Sequence, residues 1–137
     1  MMKYMKSKLF MNAFWLLLVV GVANWVGTEL YLYWSIWWYD IPMHFMGGLW
    51  VALVVAWVYA FRVNINQKKF SSYVWVVIGG TLVVGIAWEL YELCIDATSL
   101  ADGIHYITDT ASDIIMDTAG AIVGALYTYK FFARNDQ

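Results

Sequence analysis

The sequence predicts an all-α integral membrane protein with four transmembrane helices, an interfacial aromatic segment, and both ends in the cytoplasm. Three observations predict it. Of 137 residues, 63% are hydrophobic and only 13% charged, whereas a soluble domain carries about a quarter charged residues. Four apolar stretches each approach the roughly 20 residues that a helix needs to cross a hydrocarbon core of about 30 Å. With four crossings, all eight Lys and Arg fall on one side, and the positive-inside rule makes that side cytoplasmic.

The first stretch runs from Leu9 to Gly27, interrupted by Asn12 and Asn24. The basic start ahead of it imitates a signal peptide, but an apolar run of about 19 residues is too long for a usual signal h-region. It is read as the first membrane helix. Residues Thr28 to Pro42 follow, with Tyr31, Tyr33, Trp34, Trp37, Trp38 and Tyr39. This segment is too short to span and reads as an interfacial helix or re-entrant stretch, an aromatic belt at the headgroup level. Pro42 sits where a helix can begin without losing a needed N–H. The second helix is Met43 to Phe61, the third Phe70 to Leu93 and the fourth Ala111 to Ala133. Lys3, Lys6 and Lys8 precede the first helix, Arg62, Lys68 and Lys69 join the second to the third, and Lys130 and Arg134 close the fourth. No linker, low-complexity tract or repeat divides residues 1–137, so the chain reads as one domain. Cys94, the single cysteine, permits no internal disulfide and no cysteine-based metal site.

The same topology sends nine of the ten acidic residues to the outer half: Glu29, Asp40, Glu89, Glu92, Asp96, Asp102, Asp109, Asp113 and Asp117. Asp96 and Asp102 read as solvated loop residues, as does His105. Glu29 either joins the cluster or marks the water interface. Asp109, Asp113 and Asp117 recur every four residues and form one stripe on a helix face, Asp117 lying roughly 12 Å below Asp109. Glu89 and Glu92 share a face of the third helix, and Asp40 and His44 share one at the start of the second. Carboxylates within membrane helices are expensive and face the bundle interior, paired or lining a wet cavity.

With no Lys or Arg on that side, something else must offset these charges. Protons could do so, with several acids neutral in a low dielectric. A divalent metal (Zn, Mn, Fe, Mg or Ca) could do so, with Asp40, His44, Glu89, Glu92, Asp109, Asp113 and Asp117 as the candidate ligands. A cationic substrate or partner is the third answer. Gly120 and Gly124, beside Ala121 and Ala125, form a small-xxx-small step below Asp117. With Gly47, Gly48, Gly79, Gly80 and Gly85 they read as packing residues that let membrane helices approach closely.

Three ordered motifs carry a family resemblance. They are Asp40-x-x-x-His44-Phe45, then Trp88-Glu89-x-x-Glu92, then Asp109-Thr110-x-x-Asp113-x-x-x-Asp117-x-x-Gly120-x-x-x-Gly124. Residues 40 to 125 resemble the VanZ-like superfamily, and within it the YjdF-like branch of small inner-membrane proteins. The chain departs from VanZ proper at Ile41, where a lysine usually stands, at Glu92, for a glutamine, and at Asp117, for an asparagine. VanZ proteins are associated with resistance to glycopeptide antibiotics of the teicoplanin kind. The resemblance implies the helix count and the polar site, and no particular reaction.

Function therefore divides three ways. In one, a metal-dependent membrane enzyme acts on a lipid or lipid-linked substrate at the outer leaflet, with one carboxylate left free as general base for a metal-bound water. In another, the acid stripe binds protons or a cation, although the apolar inner half of every helix argues against a through-pathway in a monomer. In the third, the polar cluster locks helix packing in a structural or assembly protein. The lipid bilayer is the one certain partner, homo-oligomerisation is open, and nucleic acid is excluded because no basic face lies away from the membrane surface.

Overall fold

The computed structural model describes residues 2–62, 69–95 and 97–134, with side chains from 7 to 132 of these. Lys68, Asp96 and Asp136 lie outside the described residues, as do the side chains of Lys3, Lys6 and Arg134. Every regular element is helical: α1 (Met2–Glu29), α2 (Leu32–Ser35), α3 (Asp40–Arg62), α4 (Phe70–Cys94), a 3₁₀ turn (Leu100–Asp102) and α5 (Ile104–Arg134). Three helices are long and apolar enough to cross a membrane: Ser7–Glu29, Asp40–Arg62 and Phe70–Cys94. The fourth long helix, α5, has 31 residues. Asp109, Asp113 and Asp117 lower the hydropathy of its first half, and Tyr127, Tyr129 and Lys130 that of its second.

The helices begin and end where local chemistry allows. α3 starts at Asp40, two residues before Pro42. The first helical N–H groups have no intrahelical acceptor, so a proline there removes nothing, and a carboxylate there faces the positive end of the helix dipole. Residues 28–42, expected to form an interfacial unit, are divided three ways. α1 takes the first two, α2 is a single turn, and α3 takes the last three. Tyr31 breaks the path between α1 and α2 with φ 56, the left-handed region that non-glycine residues seldom adopt. Tyr33 and Tyr39 tie this corner to α1. The Tyr33 hydroxyl donates to Asn24 Oδ1 at 2.8 Å, and the Tyr39 hydroxyl donates to the Ala23 carbonyl at 2.8 Å.

Contacts along the bundle set the helix directions. His44, Gly48 and Ala52 of α3 meet, in that order, Asp113 and Asp117, then the Asp117–Gly120 backbone, then Gly124. α3 and α5 therefore run parallel. α4 is antiparallel to α5, joining Thr110 at Glu89 and Thr128 at Tyr73. α1 is antiparallel as well, with Asn12 Nδ2 donating to the Tyr127 hydroxyl at 2.7 Å. One end of the bundle thus holds Lys8, Arg62, Lys69 and Lys130, and the other holds the carboxylates and His44.

The core between the ends is small-residue packing. Ala52, Ala56, Ala121 and Ala125 are buried on the facing sides of α3 and α5, beside Leu53, Val77 and Ile78. The closest approach is at two glycines. A Cβ on Gly48 would collide with the Asp117 backbone, and one on Gly120 with the Phe45 carbonyl and Leu49 amide. In hydrocarbon, where neighbouring lipid is as apolar as leucine, such backbone contact is a principal source of helix association. Toward the basic end, Tyr73 and Thr128 are fully buried and share a 2.6 Å hydroxyl–hydroxyl hydrogen bond. Large apolar side chains such as Trp15, Val22, Trp75 and Val83 point outward, the inverse of a soluble protein's surface.

Candidate metal centre

The Gly48–Asp117 contact fixes the depth of the site. His44 lies one turn before Gly48 on α3, so its ring is carried against the same stretch of α5. It is 8% exposed, and Asp113 and Asp117 are 3% and 6% exposed. His44 Nε2 stands 3.6 Å from Asp40 Oδ1 and 3.8 Å from Asp113 Oδ1, and Nδ1 stands 3.6 Å from Asp117 Oδ1. Asp40 reaches the ring along its own helix, four residues back. Asp113 and Asp117, four apart on α5, reach it from the facing helix and bracket its two nitrogens.

Asp40, His44 and Asp113 each offer one ligand atom, and the three atoms lie within 4.8 Å of one another. The two separations from His44 Nε2, 3.6 and 3.8 Å, exceed ordinary hydrogen-bond lengths of about 2.7–3.2 Å. They come within a few tenths of an ångström of the roughly 3–3.5 Å between ligands that share an ion at about 2.0–2.2 Å. The donor set, two carboxylates and an imidazole, fits Mn, Fe, Zn or a similar divalent ion. Asp117 lies beside the other ring nitrogen, also beyond hydrogen-bond length, on the side from which carboxylates orient metal-ligating histidines.

The other expected site residues are placed differently. Glu89 is buried on α4, and its Oε2 accepts from Thr110 Oγ1 at 2.7 Å. Its Oε1 is buried without a hydrogen-bond partner. Glu92 is half-buried, and its Oε1 accepts from the Trp88 indole at 2.9 Å. Both carboxylates lie within electrostatic range of His44, but neither joins the three close ligand atoms. Asp109 is exposed one turn above Asp113. Its side chain lies beyond the helix contact that encloses the lower two acids of the stripe. Glu29, Asp102, His105 and Cys94 are exposed.

Two neighbours were not among the candidate site residues: Thr110 stood only in the motif, and Gly85 was read as packing. Thr110 sits inside the α5 motif, three residues before Asp113, and holds Glu89; that spacing on one helix face was the available signal. Gly85 leaves room for Asp117, whose Oδ2 lies 2.5 Å from where a Cβ would stand. Tyr33, outside the membrane-spanning helices, lies within electrostatic range of Asp40 and Glu92. Burial first, then the charges of Asp40, Tyr39 and Glu92, push its hydroxyl up to about 12.

Comparison with known proteins matches the chain to a family. The family model described as "Predicted membrane protein (DUF2238)" covers residues 1–134, and the chain belongs to that family. No curated protein and no solved structure matches.

Proposed function

We propose that this DUF2238 protein holds a divalent metal ion between Asp40, His44 and Asp113 in the outer leaflet of a bacterial inner membrane. The observation that carries this reading is the spacing about His44. Two carboxylate oxygens stand 3.6 and 3.8 Å from one ring nitrogen, too far for hydrogen bonds and close to ligand–ligand distances. Asp117, 3.6 Å from Nδ1, lies on the side from which a carboxylate would orient the ring once the ion is bound. Two carboxylates offset the charge of a divalent ion, which a membrane interior otherwise resists.

The same reading takes α5 as a fourth crossing and both termini as cytoplasmic. The grouping of Lys8, Arg62, Lys69 and Lys130 at the opposite end supports that orientation. The kinship with VanZ-like and YjdF-like proteins belongs to it as well, on the three motifs quoted above. An ion so placed would supply Lewis-acid chemistry toward a lipid or lipid-linked substrate. The chain's part is to bind the ion, hold the imidazole in one tautomer and keep hydrocarbon around the site.

A second reading has its own observation. His44 bracketed by three carboxylates is also the arrangement of an imidazolium compensated by acids, a polar lock between α3 and α5 without metal. Elemental analysis of protein purified in mild detergent without chelator separates the two. The metal reading expects one equivalent of a divalent metal, lost in His44→Ala and Asp113→Ala and retained in Asp102→Ala. Affinity should fall at acidic pH, because the ligands must shed protons to bind. A metal-free protein whose Asp113→Asn variant is at least as stable as the parent sinks the metal reading and leaves the polar lock.

A further inference from the structure

We propose that the acidic mouth above the metal centre binds the ammonium group of a primary amine, with Glu89 Oε1 as its innermost acceptor and Glu92 and Asp109 as its outer charges. This deepens the reading above and depends on it only in leaving Asp40 and Asp113 to the ion.

Glu89 is 5% exposed. Thr110 satisfies one of its oxygens at 2.7 Å, and the other is buried and bare. Buried acceptors are nearly always paired, so an unpaired one marks a place where a donor from elsewhere belongs. The Glu89 carboxylate also lies within reach of the charges of His44, Asp109 and Asp117, and Glu92 lies within reach of those of Glu89, His44 and Asp40, so carboxylates outnumber the one imidazole around them. The described Lys and Arg side chains, Lys8, Arg62, Lys69 and Lys130, are all at the other end of the bundle.

The chemistry of the missing donor follows. An anion would be repelled by the carboxylates, which outnumber His44 at the mouth. A neutral hydroxyl would supply a donor and leave the charges unopposed. A second metal ion would need several oxygens on one point, but Thr110 and Trp88 hold Glu89 and Glu92 by one oxygen each. An ammonium supplies both a positive charge and three N–H donors. Trp88, which fixes Glu92, is exposed at the mouth and offers an aromatic face of the kind on which cations rest. A zwitterionic headgroup would place its amine here and its phosphate toward the ion. A soluble amine would use the acidic groups alone.

Binding is measured by tryptophan-fluorescence titration of the full, metal-loaded chain in mild detergent. The probes are a short-chain ethanolamine-headed phospholipid, its glycerol-headed counterpart and free ethanolamine. The ethanolamine lipid is expected to bind at least about tenfold more tightly than the glycerol lipid, the scale of one charged hydrogen bond. Glu89→Gln should reduce that affinity about tenfold with bound metal unchanged, and Glu92→Gln should weaken it too. If Glu89→Gln does not fold, Glu92→Gln carries the test. Free ethanolamine binding as tightly as the lipid, and as dependent on Glu89, would assign the amine to a soluble molecule; preference for the lipid assigns it to a headgroup. Equal affinity for both headgroups, or binding that neither variant alters, overturns the proposal. So does loss of a second equivalent of metal in Glu89→Gln. A wild-type protein without metal would count against the metal centre alone, because Glu89-dependent amine binding is read separately.

Discussion

His44 Nδ1 and Asp117 Oδ1 stand 3.6 Å apart across a helix crossing at which Gly48 rests on the Asp117 backbone. The residue that faces the imidazole is thus also the residue on which α3 packs, so the candidate site and the fold share one contact.

Asp117→Asn should separate those two roles. Asparagine keeps the shape against Gly48 and Gly85 and removes the negative charge beside Nδ1. Metal affinity is expected to fall by roughly 10- to 100-fold, the usual effect of losing an orienting carboxylate, with thermal stability of the metal-free protein little changed. Affinity equal to wild type in a metal-competition titration would mean that Asp117 only fills space.

The packing at the crossing predicts a steep contrast among glycines. Gly120→Leu pushes a side chain into the Phe45 carbonyl and the Leu49 amide, and should cost about 3 kcal/mol or more as overpacking against backbone. Gly79→Ala adds a methyl where nothing lies within 4 Å and should be neutral. Leu126→Ala, on an exposed face, should cost little. Equal thermal shifts for Gly120→Leu and Leu126→Ala would mean that α5 packs on α3 through another face.

Four crossings place Lys69 and Asp102 on opposite sides of the membrane. In a variant lacking Cys94, Asp102→Cys should react with an impermeant thiol reagent in intact cells, and Lys69→Cys only after lysis. Both positions are exposed, so neither result depends on opening the fold. Labelling of Lys69→Cys in intact cells would remove the four-span topology.

Tyr33 predicts an alkaline limb of the stability curve. Its hydroxyl is raised from 10.0 to about 12, by burial first and then by the charges of Asp40, Tyr39 and Glu92. The folded state therefore keeps a proton that the unfolded chain gives up. Its contribution is complete below pH 10.0 and is lost as pH rises toward about 12. Tyr33→Phe should lower stability at neutral pH, through the lost Asn24 bond, and flatten the decline over that window. Parallel wild-type and variant curves in thermal denaturation would show that Tyr33 does not contribute to it.

Most of the helices were legible in the sequence because their cause is local. A run of apolar residues in hydrocarbon must satisfy its own backbone, and only a helix does so within one segment. Hence α1, α3 and α4 appear close to where hydropathy puts them, extended by the turn or so that polar ends allow. The two ends of the bundle were legible too, since the positions of Lys and Arg along the chain follow from the helix count. The corner at residues 28–42 was not, because its shape depends on Tyr33 and Tyr39 reaching back to α1.

The membership of the site was decided by the tertiary structure. Asp109, Asp113 and Asp117 are equivalent in a four-residue repeat, and nothing local ranks them. The α3–α5 crossing at Gly48 and Gly120 encloses the lower two and leaves Asp109 outside. Glu89 and Glu92 likewise looked like equal candidates, but they lie outside the close group of Asp40, His44 and Asp113. A helical pattern gives the angle of a residue about its own axis. Which neighbour lies at that angle, and at what depth, is set by where two backbones can touch.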